Sequence, residues 1–246
     1  MTLSDTSTWL PLDGLAPGFD AHKAPAVDDL HGRSFVLRDD DGPVFTWRGT
    51  DETFLVDDDL YYVQHHPSPD AREAVSLFLD LRNGRALVVT TTIGDHGTPR
   101  VTQEFRPATI DGFDVRGEPM APSTALIGRR VLWVYSPEHA YEHVYLSPHW
   151  YTWQCLAGPE RGLADTDENT VYQLRPGIHV FTWREKVIPC ASVTVADHRN
   201  ARALRSHGVL FGLDATGQRP THFTFGAHGH LLSATVHPAE FDPAER

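Results

Sequence analysis

The sequence has few cysteines and no long apolar run. Only Cys155 and Cys190 occur among its 246 residues, too few for a disulfide framework, so we treat both as buried thiols. No apolar stretch approaches the roughly 18 residues that a membrane-spanning helix needs. The opening "MTLSDTSTWLPLDGLAPGFD" has no basic segment followed by an apolar one. We therefore expect a cytoplasmic protein with no membrane partner.

Basic residues are also scarce. Lys and Arg number 21 against 33 Asp and Glu, which gives a formal net charge of −12, and most of the excess lies in the N-terminal half. Runs such as Asp39–Asp41 and Asp57–Asp59 would repel phosphate groups and anionic lipids. The charge pattern therefore predicts no nucleic-acid partner.

Several catalytic motifs are missing as well. The sequence contains no Gly-x-Gly-x-x-Gly after a strand, no Walker loop, no Gly-x-Ser-x-Gly elbow and no Cys-x-x-Cys pair. The absence of these motifs argues against nucleotide-dependent chemistry and against the common serine hydrolases. We expect a protein that works without a cofactor.

Histidine is abundant, but its spacing does not define a metal site. The stretch "HFTFGAHGHLLSATVH" contains four of the 15 histidines. His228 and His230 flank Gly229 in what the pattern predicts to be a hairpin turn, and no third ligand is set by spacing. Surface histidines explain this pattern without a metal.

The acidic loop "GLADTDENT" contains Asp165, Asp167 and Glu168. It lacks the glycine and the distal glutamate of a calcium loop, so we predict that it is a solvated turn.

Short stretches of alternating apolar and polar residues occur along most of the chain and are typical of strands. Asn83-Gly84 separates "VSLFLDL" from "RALVVTTTI" and is a strong hairpin signal. The stretch "DAREAVSLFLDL" also fits a helical period, but the adjoining turn favours a strand. The sequence therefore predicts an all-β chain of antiparallel hairpins.

An internal repeat divides the chain into two β units. Asp80–Leu87 recurs as Asp197–Leu204 with six of eight residues identical. The proline-containing segment 117–123 would join the copies, so we predict an N-terminal extension over 1–29, a barrel over 30–118 and a second barrel over 124–246. Each copy has the number of strands at which an antiparallel meander closes, and calycin-like barrels in tandem are the predicted fold. A pair of β-sandwiches is the alternative.

The stretch "HVFTWREKVIPC", residues 179–190, places a carboxylate among aromatic rings. Alternation puts Phe181, Trp183 and Glu185 on one face and Arg184 on the other. Burial disfavours a charged carboxylate, which raises its pKa towards the range useful for a general acid or base. The alternative is a structural glutamate in an ion pair or at the barrel rim.

Two neighbouring stretches present further polar aromatic faces. In "YEHVYL" the residues Tyr141, His143 and Tyr145 share one face. In "HWYTWQC" the residues Tyr151 and Trp153 do the same. Such faces can line a ligand pocket. The alternative turns the tyrosine and histidine face of "YEHVYL" to solvent, with the intervening apolar residues in the core.

These stretches also carry a resemblance to a known family. From Tyr141 the chain reads "YEHVYL", then "WQCLAGPERGLADTDENTVYQL", then "FTWREKVIPCASVTV", and this ordered set resembles the C-terminal domain of the MoaF family. "LHGRSFVL" with "LFLDLRNGRALVV" resembles its N-terminal domain, so the similarity covers most of residues 30–238. The resemblance implies two lipocalin-like β-barrel domains, and the family name implies a link to molybdenum cofactor biosynthesis. Pro189–Ser192 departs from the Pro-Thr-Leu-Gly common in the family.

A second, shorter resemblance concerns the chemistry. "TWRE" and "YEHVY" are similar to segments of phenolic acid decarboxylases, which are also calycin-like barrels. There a buried glutamate and paired tyrosines act without a cofactor on an unsaturated aromatic acid. Glu185, Tyr141 and Tyr145 match these groups, whereas decarboxylation itself does not carry over.

Two functions of different class follow from the sequence. The first is a cofactor-free lyase, isomerase or hydratase acting on a small aromatic or unsaturated molecule, with Glu185 as general acid or base and His143 and Tyr141 as further catalytic groups. The second is a non-catalytic binding or carrier protein, accessory to molybdenum cofactor biosynthesis as the family name implies. In either case the predicted ligand contacts are Tyr145, Tyr151, Trp153, Phe181, Trp183 and Arg184.

The repeat also predicts which copy holds the ligand. An alignment of the two copies without gaps places Ser68 of "QHHPSPDA" opposite Glu185, and the flanking prolines cannot form a regular central strand. We therefore expect the ligand within residues 126–238. The N-terminal copy would serve packing, closure or the formation of a homodimer.

Overall fold

A computed structural model describes residues 9–245 of the chain. Within this range the chain forms sixteen β-strands, one short helix, α1 (Leu12–Leu15), and two 3-10 turns, Ala239–Phe241 and Pro243–Glu245. No helix in the described part is long and apolar enough to cross a membrane. The all-β prediction is confirmed.

The N-terminal unit is a curled antiparallel sheet of seven strands. In sheet order β2-β1-β7-β6-β5-β4-β3, the strands β2 and β3 form the two edges, so the sheet resembles half a barrel. The turn at Asn83-Gly84 joins β5 to β6, as predicted. The seven strands are β1 (Ser34–Asp39), β2 (Gly42–Arg48), β3 (Glu52–Asp57), β4 (Leu60–His65), β5 (Glu73–Asp80), β6 (Arg85–Ile93) and β7 (Val101–Ile110).

The C-terminal unit is a closed barrel. Eight antiparallel strands follow one another in the order β11-β10-β9-β16-β15-β14-β13-β12, and pairing of β11 with β12 closes the ring. The two-residue β8 (Ala121–Pro122) pairs with β12. The barrel strands are β9 (Arg129–Ser136), β10 (His139–Tyr145), β11 (Trp150–Ala157), β12 (Ala164–Arg175), β13 (Ile178–Arg184), β14 (Cys190–Asp197), β15 (Leu204–Leu213) and β16 (Pro220–Ala234).

The hairpin turn predicted at His228–His230 is wrong. β16 runs without a turn and pairs first with β15 and then with β9. Its glycines permit close packing instead: a Cβ on Gly229 would lie 2.6 Å from the ring of Trp133, and a Cβ on Gly226 would overlap the carbonyl oxygen of His22.

The two units share an apolar interface. One face of the N-terminal sheet packs on the outer face of barrel strands β12 to β15, and β13 to β15 are buried on both sides along most of their length. Each side contributes aliphatic residues and the sheet adds aromatic ones. The interface includes Phe54, Leu60, Tyr62, Phe78, Leu87 and Val89 from the sheet, and Leu174, Ile178, Val180, Val193, Val195 and Val209 from the barrel.

The strand register corrects the alignment of the two copies by one residue. Asp80 and Asp197 are equivalent by sequence, and their partners on the preceding strands are Leu60 and Ile178. This equivalence places Pro67, and not Ser68, opposite Glu185. The N-terminal copy still has no carboxylate at that position.

Residues 9–24, which we call the strap, lie across one end of the barrel. Leu12, Leu15 and Phe19 are buried in the same core cluster as the barrel interior. The strap belongs to the extension predicted over residues 1–29, of which residues 1–8 lie outside the described range. The N-terminal extension therefore closes the barrel that the C-terminal half forms.

Candidate functional site

The barrel interior is lined by polar and aromatic side chains. On β10 the residues Tyr141, His143 and Tyr145 point inward and are buried, whereas Leu146 is exposed. The face that carries the polar aromatic residues is therefore the interior one. Tyr151 and Trp153 of β11 are buried in the same cluster.

A cavity lies beneath the strap at this end of the barrel. Leu15 and Phe19 cover it, and Glu160 and Glu185 reach its wall. The empty space measures about 440 Å³ with its mouth included, but the enclosed part that water can occupy is about 50 Å³. This is room for only a few water molecules. The rest of the wall is formed by Tyr135, Tyr141, His143, Tyr151, Trp153, Trp183, Leu210 and Phe225.

Glu185 is held by its neighbour on the same strand face. The indole N–H of Trp183 donates to Oε1 of Glu185 at 2.9 Å. Oε2 is buried and has no hydrogen-bond partner among residues 9–245. Burial, reinforced by the charges of nearby carboxylates, raises the pKa of Glu185 well above its usual value.

Asp167 is a second buried carboxyl group, and its prediction as part of a solvated turn is wrong. It lies on β12 and is completely buried. The indole N–H of Trp153 donates to Oδ2 at 2.9 Å, while Oδ1 has no hydrogen-bond partner among the described residues. Burial raises the pKa of Asp167 to about 6, despite the hydrogen bond from Trp153.

The strand register brings Asp167 and Glu185 together. β12 and β13 are antiparallel and Glu168 pairs with Arg184, so the next position places Asp167 opposite Glu185 at the end of the ladder. Side chains opposite each other in this way have Cβ atoms about 5 Å apart. The charge of Asp167 adds to burial in raising the pKa of Glu185. The ammonium group of Lys186, 3.8 Å from Oδ1 of Asp167, offsets part of the effect of burial on the pKa of Asp167. A proton held by the pair would remove the repulsion between the two carboxylates.

A third carboxyl group lies nearer the strap. Tyr141 donates its hydroxyl to Oε2 of Glu160 at 2.9 Å, and the backbone N–H of Leu10 approaches Oε1 at 3.4 Å. Burial raises the pKa of Glu160. This carboxyl group therefore links the strap to the barrel wall.

His143 lies deeper, between the cavity and a smaller void. Its ring centroid is 5.3 Å from that of Tyr151 and 5.8 Å from that of Trp183. Nδ1 has no partner among residues 9–245. Burial lowers the pKa of His143 to about 3, so the imidazole is neutral at neutral pH.

The structure places the other predicted ligand contacts in two locations. Tyr145 and Phe181 line the smaller void below His143. Arg184 lies outside the cavity, where it donates to Gln103 of the N-terminal sheet at 3.1 Å and pairs with Glu168 at 3.4 Å. Arg184 therefore helps to join the two domains.

Sequence reasoning missed Asp167, Glu160 and the strap residues Leu15 and Phe19. The alternation of "ADTDENTVYQL" continues from Val171 back through Asp167 with a period of two. This signal was present, but the acidic composition of the segment outweighed it. Glu160 follows β11 in a turn, and its sequence neighbourhood carries no comparable signal.

Comparisons with known proteins agree with these motifs. Residues 120–235 match a model described as the MoaF C-terminal domain, and residues 7–95 match one described as the MoaF N-terminal domain. The chain belongs to the MoaF family. A relative named Protein MoaF, from Klebsiella aerogenes, is 39% identical over 135 residues, which cover 54% of this chain and 47% of that protein. The matched region thus spans about half the length of that relative.

The two MoaF domain matches both contribute to the cavity. The carboxyl residues and all but one of the aromatic residues of the wall lie within residues 120–235, while Leu15 and the aromatic Phe19 lie within residues 7–95. In this MoaF chain the part that matches the N-terminal domain model therefore closes the barrel built by the part that matches the C-terminal one.

Proposed function

We propose that the C-terminal barrel binds a compact aromatic or unsaturated molecule and that Glu185, which lines the cavity, transfers a proton to or from it without a cofactor, while Asp167 beside it sets the protonation state of Glu185. The observation that carries this proposal is the pair of facing carboxyl groups, each with one buried oxygen that lacks a hydrogen-bond partner. Such a pair has unequal protonation states, so one member can donate a proton while the other accepts one.

The surroundings of the pair suit acid–base work near neutral pH. Burial favours the neutral form of each carboxyl group, and general acids and bases are most effective when their pKa lies near the working pH. The two indole N–H groups hold one oxygen of each carboxyl group in place. The second oxygen is then presented in a defined direction.

The remaining wall residues define the chemistry that a bound molecule would meet. The rings of Tyr151 and Trp183 offer flat apolar surface to an aromatic or unsaturated body. The neutral His143 and the hydroxyl of Tyr141 offer polar contacts, and Leu15 and Phe19 of the strap cover the cavity. These features favour a lyase, isomerase or hydratase reaction in which a proton moves at a carbon next to an unsaturated bond.

The first experiment identifies the ligand by native mass spectrometry of protein purified from its own host. With that compound in hand, turnover and affinity are measured for Glu185→Gln and Asp167→Asn. Both variants keep the shape of the side chain and remove its acid–base function, so kcat should fall by a factor of at least about 100 with little change in affinity. Glu168→Gln, on the same strand but outside the cavity, serves as the control.

The same data decide between an enzyme and a carrier. A bound compound that the protein does not convert, with affinity reduced by both variants, would favour a non-catalytic binding protein. Unchanged turnover in both Glu185→Gln and Asp167→Asn would refute the proposed proton transfer.

A further inference from the structure

The ring of Phe19, a strap residue, lies among four aromatic rings of the barrel. The separations of the ring centroids are those at which aromatic side chains attract one another. We call these four residues the ring cage, and their distances from the Phe19 ring are 4.8 Å for Tyr135, 5.0 Å for His139, 5.8 Å for Phe223 and 6.0 Å for Tyr141. The cage belongs to the barrel, whereas its occupant comes from the strap.

The ring cage adjoins the cavity that Glu185 lines. Tyr135 and Tyr141 belong to both the cage and the cavity wall, and Phe19 itself lines the cavity. A molecule in the place of the Phe19 ring would therefore extend the cavity towards the strap. Glu185 would then lie on the wall of the combined space.

The enclosed cavity is too small for an aromatic molecule while Phe19 is in place. It offers about 50 Å³, whereas a cavity of about 150 Å³ is the size that admits benzene. Leu15 and Phe19 come from the strap, and every other wall residue belongs to the barrel, whose strands are fixed by a closed ladder of hydrogen bonds. A ligand therefore gains room most readily by displacing the strap residues.

Residues 11–19 are weakly attached to the barrel. Within the described chain they form two hydrogen bonds with it. The backbone N–H of Ala215 donates to Oδ1 of Asp13 at 3.0 Å, at an exposed position. The backbone N–H of Gly226 donates to the carbonyl oxygen of Phe19 at 3.2 Å. Segments with so few hydrogen bonds to the rest of a fold open locally at a low free energy.

The strap is held again just beyond this segment. The ring of His22 stacks on that of His228, with centroids 4.2 Å apart. The backbone N–H of Ala24 donates to Nδ1 of His207 at 3.2 Å. Asp20–Ala21, between the two parts, is exposed. Residues 11–19 can therefore lift by a pivot at Asp20–Ala21 while the rest of the strap stays in place.

We propose that Phe19 occupies the place of the ligand's aromatic ring and thereby controls entry to the barrel. A ligand binds when residues 11–19 lift and its own ring replaces that of Phe19 in the ring cage. This inference rests on the proposed binding of an aromatic molecule by the barrel, and it adds where the ring of that molecule lies. Because the cage presents aromatic rings, it selects aromatic over saturated molecules of the same size.

The test follows binding of phenol to the full chain by NMR, at the backbone amides of Tyr141–Tyr145 in the barrel. We expect Phe19→Ala to bind phenol about tenfold or more tightly than the wild type, because no part of the strap has to be displaced. Cyclohexanol has a similar size and the same hydroxyl group but no aromatic ring. It should bind Phe19→Ala more weakly than phenol does.

Two further variants control for folding and for a general effect of a cavity. Phe35→Ala removes a buried ring that stacks on Trp47 in the N-terminal sheet, and it should leave the phenol titration of the barrel amides as in the wild type. Phe19→Leu keeps an apolar side chain and should increase the affinity less than Phe19→Ala. It also preserves the test if Phe19→Ala does not fold.

Amide hydrogen exchange shows whether the strap is displaced. Phenol that replaces Phe19 in the wild type should speed exchange at Leu12–Phe19, whereas a molecule that fits beneath a closed strap would slow it. Slower or unchanged exchange in a wild type saturated with phenol would overturn the proposal. Equal phenol affinities of the wild type and Phe19→Ala, or no binding by Phe19→Ala up to about 10 mM, would also overturn it.

These outcomes are separate from those of the proposed proton transfer. Unchanged turnover in Glu185→Gln would refute the proton transfer and leave the phenol results standing. Equal phenol affinities of the wild type and Phe19→Ala would refute only the place assigned to the ring of the ligand.

Discussion

Asp167 and Glu185 face each other across β12 and β13, and each is held by the indole N–H of a tryptophan at 2.9 Å. Two buried acids in contact cannot both ionise without strong repulsion. The barrel therefore keeps a proton at this position near neutral pH. Holding the two acids together lowers the free energy of unfolding, a cost that is common at sites of chemistry.

The first prediction is that Asp167→Asn stabilises the protein at neutral pH. The pKa of Asp167 is raised to about 6 in the folded state, so its ionisation above that pH costs folding free energy that the unfolded chain does not incur. Asn keeps the hydrogen bond with Trp153 and can donate to Glu185. We expect the free energy of unfolding to rise by about 2 kcal/mol at pH 7, with the gain lost by about pH 4.

Urea unfolding at several pH values measures this difference. Asp165→Asn is the control, because Asp165 lies two residues away on the same strand and forms a partly exposed pair with Lys186 at 2.8 Å. It should change stability by less than about 1 kcal/mol. Equal stability of the wild type and Asp167→Asn at all pH values would contradict the raised pKa of Asp167 in the folded state.

The second prediction concerns the strap. Gly226→Ala places a Cβ against the carbonyl oxygen of His22 and must displace the strap from β16. We expect faster amide hydrogen exchange at Leu12–Phe19, because these residues lose their packing on the barrel. Gly14→Ala, within α1 of the same strap, meets only ordinary contacts at 3.4 Å and should leave exchange unchanged or slower. Equal rates of amide hydrogen exchange at Leu12–Phe19 in the two variants would show that contact with Gly226 does not hold the strap in place.

The third prediction concerns the junction of the domains. Arg175 donates to both oxygens of Asp80, at 2.7 and 3.0 Å, and to Asp57 at 2.9 Å. Burial alone would raise the pKa of Asp80, but the hydrogen bonds from Arg175 and Asn83 hold it below its usual value. Removing the partner of a buried carboxylate costs about 3–5 kcal/mol, so Arg175→Ala should lower the unfolding free energy by this amount.

Denaturant unfolding with a double-mutant cycle tests this junction. The loss in Arg175→Ala should shrink when Asp80→Asn is already present, because no unpaired charge is then left. Arg82→Ala removes exposed pairs at 3.8 and 3.9 Å and should cost less than about 1 kcal/mol. Additive effects of the two junction changes would show that the pair does not couple the domains.

The fourth prediction is that His143 contributes to the loss of stability at low pH. Its pKa is lowered to about 3 by burial, below the value near 6.5 of an exposed histidine. As pH falls below about 6.5, the unfolded chain binds a proton that the folded protein does not, so stability declines by up to about 1.4 kcal/mol per pH unit. His179, His198 and His207 are also buried with lowered pKa values and contribute in the same way. His143→Gln should therefore reduce the slope between about pH 6 and about pH 4 by up to about 1.4 kcal/mol per pH unit, the share of one histidine, whereas His230→Gln, at an exposed position, should not.

The local pattern of the sequence was sufficient for the strands and their faces. Alternation in "HVFTWRE" placed Trp183 and Glu185 on one face, and the structure has both buried in the barrel. The stretch before Asn83-Gly84 fits both a helix and a strand, and the turn favoured the strand that the structure has there, β5. These features depend on neighbours a few residues apart, which the sequence displays directly.

Features that depend on distant parts of the chain were decided only by the tertiary structure. Asp167 is buried because β12 closes against β11 and pairs with β13, and its acidic sequence neighbourhood indicated the opposite. The glycines of β16 look like turn residues until Trp133 and His22 are seen to pack over them. Sequence periodicity determines which face of a strand is apolar. The pairing of remote strands determines which carboxyl groups are removed from water, and this burial raises their pKa values.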